Sequence, residues 1–229
     1  MENQEYSRKD LNRLVYPKFI SALIVLPLIF MLPAGTWHYW EAWVYTFVLL
    51  TPMFILMQYL LKNQPALIAR RMQFREKENT QKTIIMLAYI PIILAFLLPG
   101  FDKRFGWSNV PVWLVILADI LMLLGYGITI WVFMENQYAS RIVEVEEEQQ
   151  VISTGPYAIV RHPMYVGALI MYIFSPLALG SYWSMIPALF IIPVLAYRAY
   201  DEEKVLIRGL PGYEEYKQKT RYRLIPGIW

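Results

Sequence analysis

Six apolar runs divide this sequence and restrict its possible folds more than any other feature. They cover residues 19–32, 40–61, 83–99, 110–134, 164–179 and 182–197. Apolar residues make up 57% of the 229-residue chain and charged residues only 17%, a balance that favours lipid over water as the solvent. The sequence therefore predicts an all-α fold, a polytopic integral membrane protein with about six transmembrane helices.

The runs differ in whether they can cross a bilayer alone. A helix needs ~20 apolar residues to cross ~30 Å of hydrocarbon. The second and fourth runs are long enough, whereas the first and third need flanking residues. The last two runs would each cover roughly 24 Å at 1.5 Å per residue, so we expect them to cross a thinned bilayer or to form a sheltered hairpin. We therefore divide the chain into a four-helix membrane region, 1–140, and a C-terminal region, 141–229, that holds the polar loop, hairpin and tail.

The basic residues indicate how the helices are oriented. With six crossings, 19 of the 21 Lys and Arg residues fall on one face, and Lys103 and Arg104 are the exceptions. This asymmetry is the positive-inside pattern, which predicts that both termini are cytoplasmic. The opposite face carries aromatic residues near helix ends, as expected of an interfacial belt. These are Trp37, Tyr39, Trp40, Trp43, Trp107, Tyr182 and Trp183.

The scarce residue types exclude several kinds of chemistry. The chain has no Cys, which excludes disulfides, thiolate nucleophiles and Cys-ligated metals. Its two His residues lie on opposite predicted faces, so no metal site is expected. Asp119 lies within the fourth run, where it is either functional or a packing group that faces other helices.

The segment TGPYAIVRHPMYVG, residues 154–167, carries the first candidate site. Gly155 and Pro156 favour a turn, and Pro163 is suited to the first position of a helix. The amide groups at that helix start, with Arg161 beside them, could bind an anion such as a phosphate or carboxylate. Tyr157 and Tyr165 either stack on a planar ligand or anchor the interface. Gly167 allows close approach of a ligand or of another helix.

A charged cluster follows the last apolar run. Arg198 and Glu202 are four residues apart and so share a helix face, and Glu203 lies beside them. On spacing alone, a solvated helix end explains such a cluster. However, the fifth and sixth runs leave and return to the same face of the membrane, so this cluster and RHPMY can converge. Their convergence would form a pocket with an anion site, two acceptors and aromatic walls.

These two motifs carry a resemblance to a known family. TGPYAIVRHPMYVG, then RAYDEE, then LPGYEEYKQKTRYRLIP resembles the isoprenylcysteine carboxyl methyltransferase and phospholipid methyltransferase superfamily of integral membrane enzymes. The resemblance covers roughly the last third of the chain, and the first four runs carry none of it. It implies an S-adenosylmethionine pocket that faces the cytosol, built from the last hairpin, and a lipid-accessible path for the acceptor.

The resemblance also implies roles for individual residues. By motif position, Arg198 would face the acceptor substrate. Glu203 belongs to the motif without a separate role, and it becomes the candidate base only because an amine acceptor would have to lose a proton. The tail TRYRLIPGIW departs from the PTG-type tail of the eukaryotic prenylcysteine enzymes, which leaves the acceptor open. The residues assigned to the cofactor are Gln149, Gln150, Val151, Ile152, Gly155, Tyr157, Arg161, His162, Pro163, Met164, Tyr165 and Glu202.

The expected reaction is methyl transfer from the sulfonium of S-adenosylmethionine to a lipophilic acceptor, with S-adenosylhomocysteine as the product. A carboxylate acceptor is preferred, because its charge and that of the sulfonium cancel as the methyl moves in a dry pocket. A lipid amine is the alternative. A nicotinamide-dependent reductase of the sterol type and a transporter are the other hypotheses. Membrane lipid or a lipidated small molecule is the expected partner, nucleic acid is not, and the oligomeric state is left open.

Overall fold

The structure is a computed structural model that describes residues 8–71, 79–139, 145 and 149–229. These residues form nine α-helices and one 3-10 turn. The helices are α1 (Arg8–Ala34), α2 (Trp40–Asn63), α3 (Pro65–Arg71), α4 (Asn79–Phe105), α5 (Val112–Glu135), α6 (Pro163–Ala178), α7 (Met185–Leu189), α8 (Ile191–Gly209) and α9 (Tyr213–Lys219). The 3-10 turn covers Gly155–Ala158 and precedes α6.

Four helices are long and apolar enough to cross a membrane. These are α1, α2, α4 and α5, with 24 to 26 residues each in their apolar stretches and a mean hydropathy of 1.8 to 2.4. As expected, flanking residues extend the first and third apolar runs to spanning length. The expectation of an all-helical fold is therefore confirmed for the part of the chain that the structure describes, and its four long apolar helices indicate an integral membrane protein.

The last apolar run does not form the single helix that the sequence predicts. Residues 182–184 lie in a turn, α7 ends at Leu189, and α8 continues as far as Gly209. Pro193 explains the break, because it lacks an amide hydrogen and its ring clashes with the carbonyl of Leu189, four residues earlier. Because α8 continues to Gly209, Arg198, Glu202 and Glu203 lie inside this helix rather than at its end. α6 has only 16 residues, and six complete spans are not established.

Two glycines bring α5 and α6 into close contact. A Cβ atom added at Gly125 would lie 2.8 Å from the Gly167 carbonyl oxygen, and one added at Gly167 would lie 2.6 Å from that of Gly125. Such small residues allow helix backbones to approach in a membrane. The sequence predicts that Gly167 allows close approach of either a ligand or another helix, and the structure supports helix packing. This contact fixes the start of α6 beside the end of α5.

The predicted aromatic belt is largely exposed, with one exception. Trp37, Trp43, Trp107 and Trp183 each expose between 46% and 58% of their surface. Tyr39 is fully buried instead, and its hydroxyl donates a hydrogen bond of 2.5 Å to the Leu179 carbonyl oxygen. Tyr39 therefore joins the α1–α2 connection to the end of α6, and its assignment to the belt was wrong. The reason is that a tyrosine with a buried partner for its hydroxyl packs as a core residue.

Candidate active site

One cleft lies where α5 ends, α6 begins and α8 and α9 pass. Its empty volume is about 760 Å³, part of which opens to solvent. We call it the main cleft. It is lined by Asn136, Tyr138, Ala139, Gln149, Gln150, Val151, Ile152, Tyr157, His162, Pro163, Met164, Tyr165, Glu202, Leu206, Leu210, Tyr213 and Tyr216.

Ten of the twelve residues assigned to the cofactor from the sequence line this cleft. They come from three separate places: the strip Gln149–Ile152, the segment from Tyr157 to Tyr165, and Glu202 of α8. Gly155 and Arg161 do not line the cleft, and neither do Arg198 and Glu203. The geometry of these four residues shows what they do instead.

Gly155 begins the 3-10 turn in a left-handed conformation, with φ of +56°. A Cβ atom there would lie 2.9 Å from the Glu135 carboxyl, to which the neighbouring Thr154 hydroxyl donates a hydrogen bond. The backbone angle therefore favours glycine, and a Cβ atom would also displace the Glu135 side chain. Gly155 sets the path of the turn that carries Tyr157, without contacting the cleft.

Arg161 holds the C-terminal tail instead of an anion. Its Nε donates to Glu203 Oε1 at 2.6 Å, and its Nη1 donates to the carbonyl oxygens of Thr220 and Arg221 at 2.8 and 2.6 Å. The Arg161 amide donates to the carbonyl oxygen of Tyr222. Because these bonds occupy the guanidinium and it is buried, Arg161 is not available to the anion site expected at this helix start.

Glu203 is the centre of a buried charged cluster. Its carboxyl accepts from Arg161 and, at 2.9 Å, from Arg223 Nε, and His162 Nε2 lies 3.4 Å away. Burial raises the pKa of this carboxyl, but the hydrogen bonds of His162, Arg161 and Arg223 outweigh burial and lower the pKa to about 2. Such a carboxylate is a weak base, and both of its oxygens are already occupied.

Glu202, one residue away, faces the cleft and joins two helices. The Tyr165 hydroxyl donates to Glu202 Oε2 at 2.6 Å and accepts from Arg198 Nε at 2.9 Å. The His162 ring stacks on Tyr165 with a centroid distance of 5.5 Å and an interplanar angle of 7°. Arg198 thus lies directly behind the cleft wall, one hydrogen bond from Tyr165.

Sequence reasoning missed seven lining residues. Asn136 lies just beyond the end of α5, and its amide donates to the Tyr157 hydroxyl at 2.8 Å and so holds the ring in the cleft wall. Arg71 of α3 supports this region, since its Nη1 donates to the carbonyl oxygen of Ala139 at 3.2 Å. Tyr213 and Tyr216 lie in α9, where only the spacing of two aromatic residues in a charged helix gave a signal. The other four lining residues are Tyr138, Ala139, Leu206 and Leu210.

The four long apolar helices and the main cleft indicate a membrane protein with a partly polar cleft at one end of its helices. Residues 113–210 match the model of the phospholipid methyltransferase family, which belongs with the isoprenylcysteine carboxyl methyltransferases to one superfamily of integral membrane methyltransferases. The match supports the resemblance of the motifs as far as Leu210, and the matching family indicates a membrane methyltransferase. No curated protein matches the chain.

The extent of the match corrects one expectation. It begins within α5, so the fourth apolar run is part of the matched region and not outside it. The structure gives a physical reason, because α5 packs against α6 and supplies Asn136, just beyond its end, to the cleft wall. The match ends at Leu210, before α9 and the tail.

Proposed function

We propose that this protein transfers a methyl group from S-adenosylmethionine to a lipophilic acceptor at the membrane. The observation that carries this proposal is the convergence in one cleft of ten residues that the motifs assign to the cofactor. All ten lie within the region that matches the phospholipid methyltransferase family. The cofactor, the acceptor and the residue roles below are parts of the proposal.

The lining of the main cleft fits the cofactor chemically. Glu202 offers a carboxylate to ammonium or hydroxyl groups, and its side chain is 24% exposed, so it is within reach of a ligand. Tyr157 and Tyr165 offer ring faces suited to a planar base. The amides of Gln149 and Gln150 add donors and acceptors for a polar ligand.

The role of the protein in this reaction is mainly to hold the reactants. Bound S-adenosylmethionine supplies a methyl group on a positive sulfur, and the S–C bond breaks as a bond from the acceptor to that carbon forms. Correct placement of two reactants can lower a barrier by ~7 to 11 kcal/mol. The hydrogen bonds among Arg198, Tyr165 and Glu202 give the cleft wall the rigidity that such placement needs.

We propose a carboxylate as the acceptor and Arg198 as the residue that orients it. A carboxylate needs no base, because it is already deprotonated at neutral pH. The state of Glu203 favours this choice, since two arginines occupy the carboxyl that an amine reaction would have used as a base. Arg198 lies behind Tyr165, from which its guanidinium can extend a bidentate contact toward an acceptor carboxylate.

A lipid amine is the second candidate, favoured by the description of the matching family as phospholipid methyltransferases. An ammonium headgroup would have to lose its proton before it attacks the methyl carbon. With Glu203 engaged, the proton would pass to solvent or to Glu202. The rate would then rise with pH through the pKa of the amine, whereas a carboxylate acceptor gives no such rise between about pH 6 and 9.

The placement in the membrane completes the proposal. We place α6 and the segment from α7 to the middle of α8 in the bilayer as a short hairpin beside the four long helices. Both termini and the main cleft then face the cytoplasm, as the distribution of basic residues in the sequence favours. The acceptor would reach the cleft sideways from the lipid.

Calorimetric titration tests the cofactor assignment. Purified protein in detergent is titrated with S-adenosylhomocysteine and, separately, with NADPH. We expect binding of S-adenosylhomocysteine alone. Binding of NADPH alone would support a reductase, and binding of neither would support a transporter.

A methyl-transfer screen tests the acceptor. Radiolabelled S-adenosylmethionine is incubated with the protein and with prenylcysteine analogues or membrane phospholipids. A labelled product that releases its methyl group in base is an ester, as the carboxylate proposal predicts. A base-stable labelled lipid would instead establish amine methylation and overturn the preferred acceptor.

A further inference from the structure

One buried hydroxyl group in the wall of the main cleft has no partner among the residues that the structure describes. Tyr213 is the first residue of α9 and only 4% exposed. Its hydroxyl oxygen is closed off from solvent and makes no hydrogen bond to any residue that the structure describes. The hydroxyls of its neighbours are paired, since Tyr216 donates to the Tyr157 carbonyl oxygen at 2.8 Å and Asn136 donates to the Tyr157 hydroxyl.

The surrounding packing fixes the position of this hydroxyl. Gly212, with φ of +83°, turns the chain into α9, and Tyr213 then packs against Leu210 and Tyr216 in one apolar cluster. The rings of Tyr213 and Tyr216 meet at a centroid distance of 5.6 Å. A side chain held in this way cannot rotate freely to find a partner, so a partner has to reach the hydroxyl from the cleft by displacing the side chains that now cover it.

The charges around Tyr213 determine what kind of partner it accepts. Burial raises the pKa of the phenol, and the carboxylates of Glu203 and Glu202 raise it further, so the group stays protonated and acts as a hydrogen-bond donor. Neither carboxylate is within hydrogen-bond distance of the hydroxyl. Two negative charges nearby disfavour a further carboxylate, which leaves a neutral oxygen or nitrogen as the favoured acceptor.

We propose that Tyr213 is a binding residue of the main cleft whose hydroxyl donates a hydrogen bond to a neutral acceptor on the nucleoside part of the methyl donor, a ribose hydroxyl or a ring nitrogen. This inference rests on the proposed function and adds a residue beyond the matched family region, which ends at Leu210. A buried hydroxyl without a partner destabilises the ligand-free protein, and a ligand that pairs with it recovers that loss on binding. Tyr213 would thereby make the cleft selective for nucleosides.

The test uses Tyr213→Phe, which removes only the hydroxyl, and Tyr216→Phe as a matched control from the same helix. Melting temperatures without ligand and calorimetric affinities are measured for S-adenosylhomocysteine and for 5′-methylthioadenosine, which lacks the amino-acid part. For Tyr213→Phe we expect an unchanged or higher melting temperature and about tenfold weaker binding of both ligands. Tyr216→Phe should lower the melting temperature, because its hydroxyl is paired within the protein.

Each other outcome has a defined meaning. A lower melting temperature with unchanged affinity in Tyr213→Phe would show a structural hydroxyl and overturn the inference. Weaker binding of S-adenosylhomocysteine alone would move the contact to the amino-acid part and overturn the nucleoside assignment. If the wild-type protein binds neither ligand, the proposed function fails and the inference fails with it. If instead the wild-type protein binds both ligands and Tyr213→Phe binds them equally well, only the inference about Tyr213 fails.

Discussion

Glu202 and Glu203 are adjacent in the chain, yet their surroundings give them different roles. Glu202 lies in the cleft wall and bonds to one tyrosine hydroxyl, whereas Glu203 is 2% exposed and surrounded by Arg161, Arg223 and His162. Removing one partner of a buried carboxylate–arginine cluster is destabilising, whereas the Glu202 side chain is 24% exposed, with the Tyr165 hydroxyl and His162 as neighbours, and can still bind a ligand. We therefore propose ligand binding for Glu202 and structural support for Glu203.

Replacing Glu202 should affect cofactor binding far more than replacing Arg198. Both side chains bond to the same Tyr165 hydroxyl, so Arg198→Ala controls for disturbance of Tyr165 in Glu202→Ala. We expect calorimetry to show at least tenfold weaker binding of S-adenosylhomocysteine in Glu202→Ala and near wild-type binding in Arg198→Ala. Arg198→Ala should instead lose methyl transfer. Wild-type affinity in Glu202→Ala would refute its assignment.

Glu203 should make stability depend on pH in a defined window. Its folded-state pKa of about 2 lies below the ordinary value of 4.5, so its stabilisation is complete above about pH 4.5 and is lost as the pH falls toward 2. Glu203→Gln leaves Arg161 and Arg223 without a counter-charge and should cost about 3 kcal/mol at pH 7.

Thermal melting of both proteins in detergent at a series of pH values measures this effect. The difference in melting temperature between wild type and Glu203→Gln should be full at pH 7 and should shrink below pH 4.5. Glu202→Gln serves as the control and should show a smaller difference at pH 7. A difference for Glu203→Gln that stays constant down to pH 3 would contradict the ion-pair cluster.

The contact of α5 with α6 can be tested with two glycines of α5. A Cβ atom at Gly125 would meet the Gly167 carbonyl oxygen at 2.8 Å, whereas one at Gly127 meets no atom of the described residues within 4 Å. Gly125→Ala should therefore separate the helices and lower the free energy of unfolding by about 1 to 3 kcal/mol. Gly127→Ala should be neutral or slightly stabilising. Equal melting temperatures of the two variants would show that α5 and α6 do not pack through these glycines.

The sequence predicts best those helices whose ends coincide with the ends of an apolar run. α2 and α5 begin and end within a few residues of the runs 40–61 and 110–134. The sequence does not predict the break between α7 and α8. Pro193 lies within a continuous apolar run, and its effect on a helix depends on how strongly neighbouring helices restrain the chain. For the cleft, the motifs identified the residues near α6 and Glu202. They could not identify Asn136 or Tyr213, because their places depend on how the end of α5 and α9 fold back onto the turn at Tyr157.

The orientation of the whole molecule can be measured because the chain has no Cys of its own. Asn109→Cys lies between α4 and α5, and Gln218→Cys lies in α9, both at exposed positions. The distribution of basic residues predicts that a membrane-impermeant maleimide labels Asn109→Cys in intact cells and Gln218→Cys only after permeabilisation. The reverse pattern would place α9, and the cleft that it lines, on the outer face.

An experimental structure of the protein with bound S-adenosylhomocysteine tests the location of the methyl-donor site most directly. We predict ligand density in the main cleft, with Glu202 within hydrogen-bond distance of the ligand and the sulfur facing Arg198 and the lipid. Ligand density elsewhere in the molecule, with the main cleft closed by side chains, would contradict the proposed site.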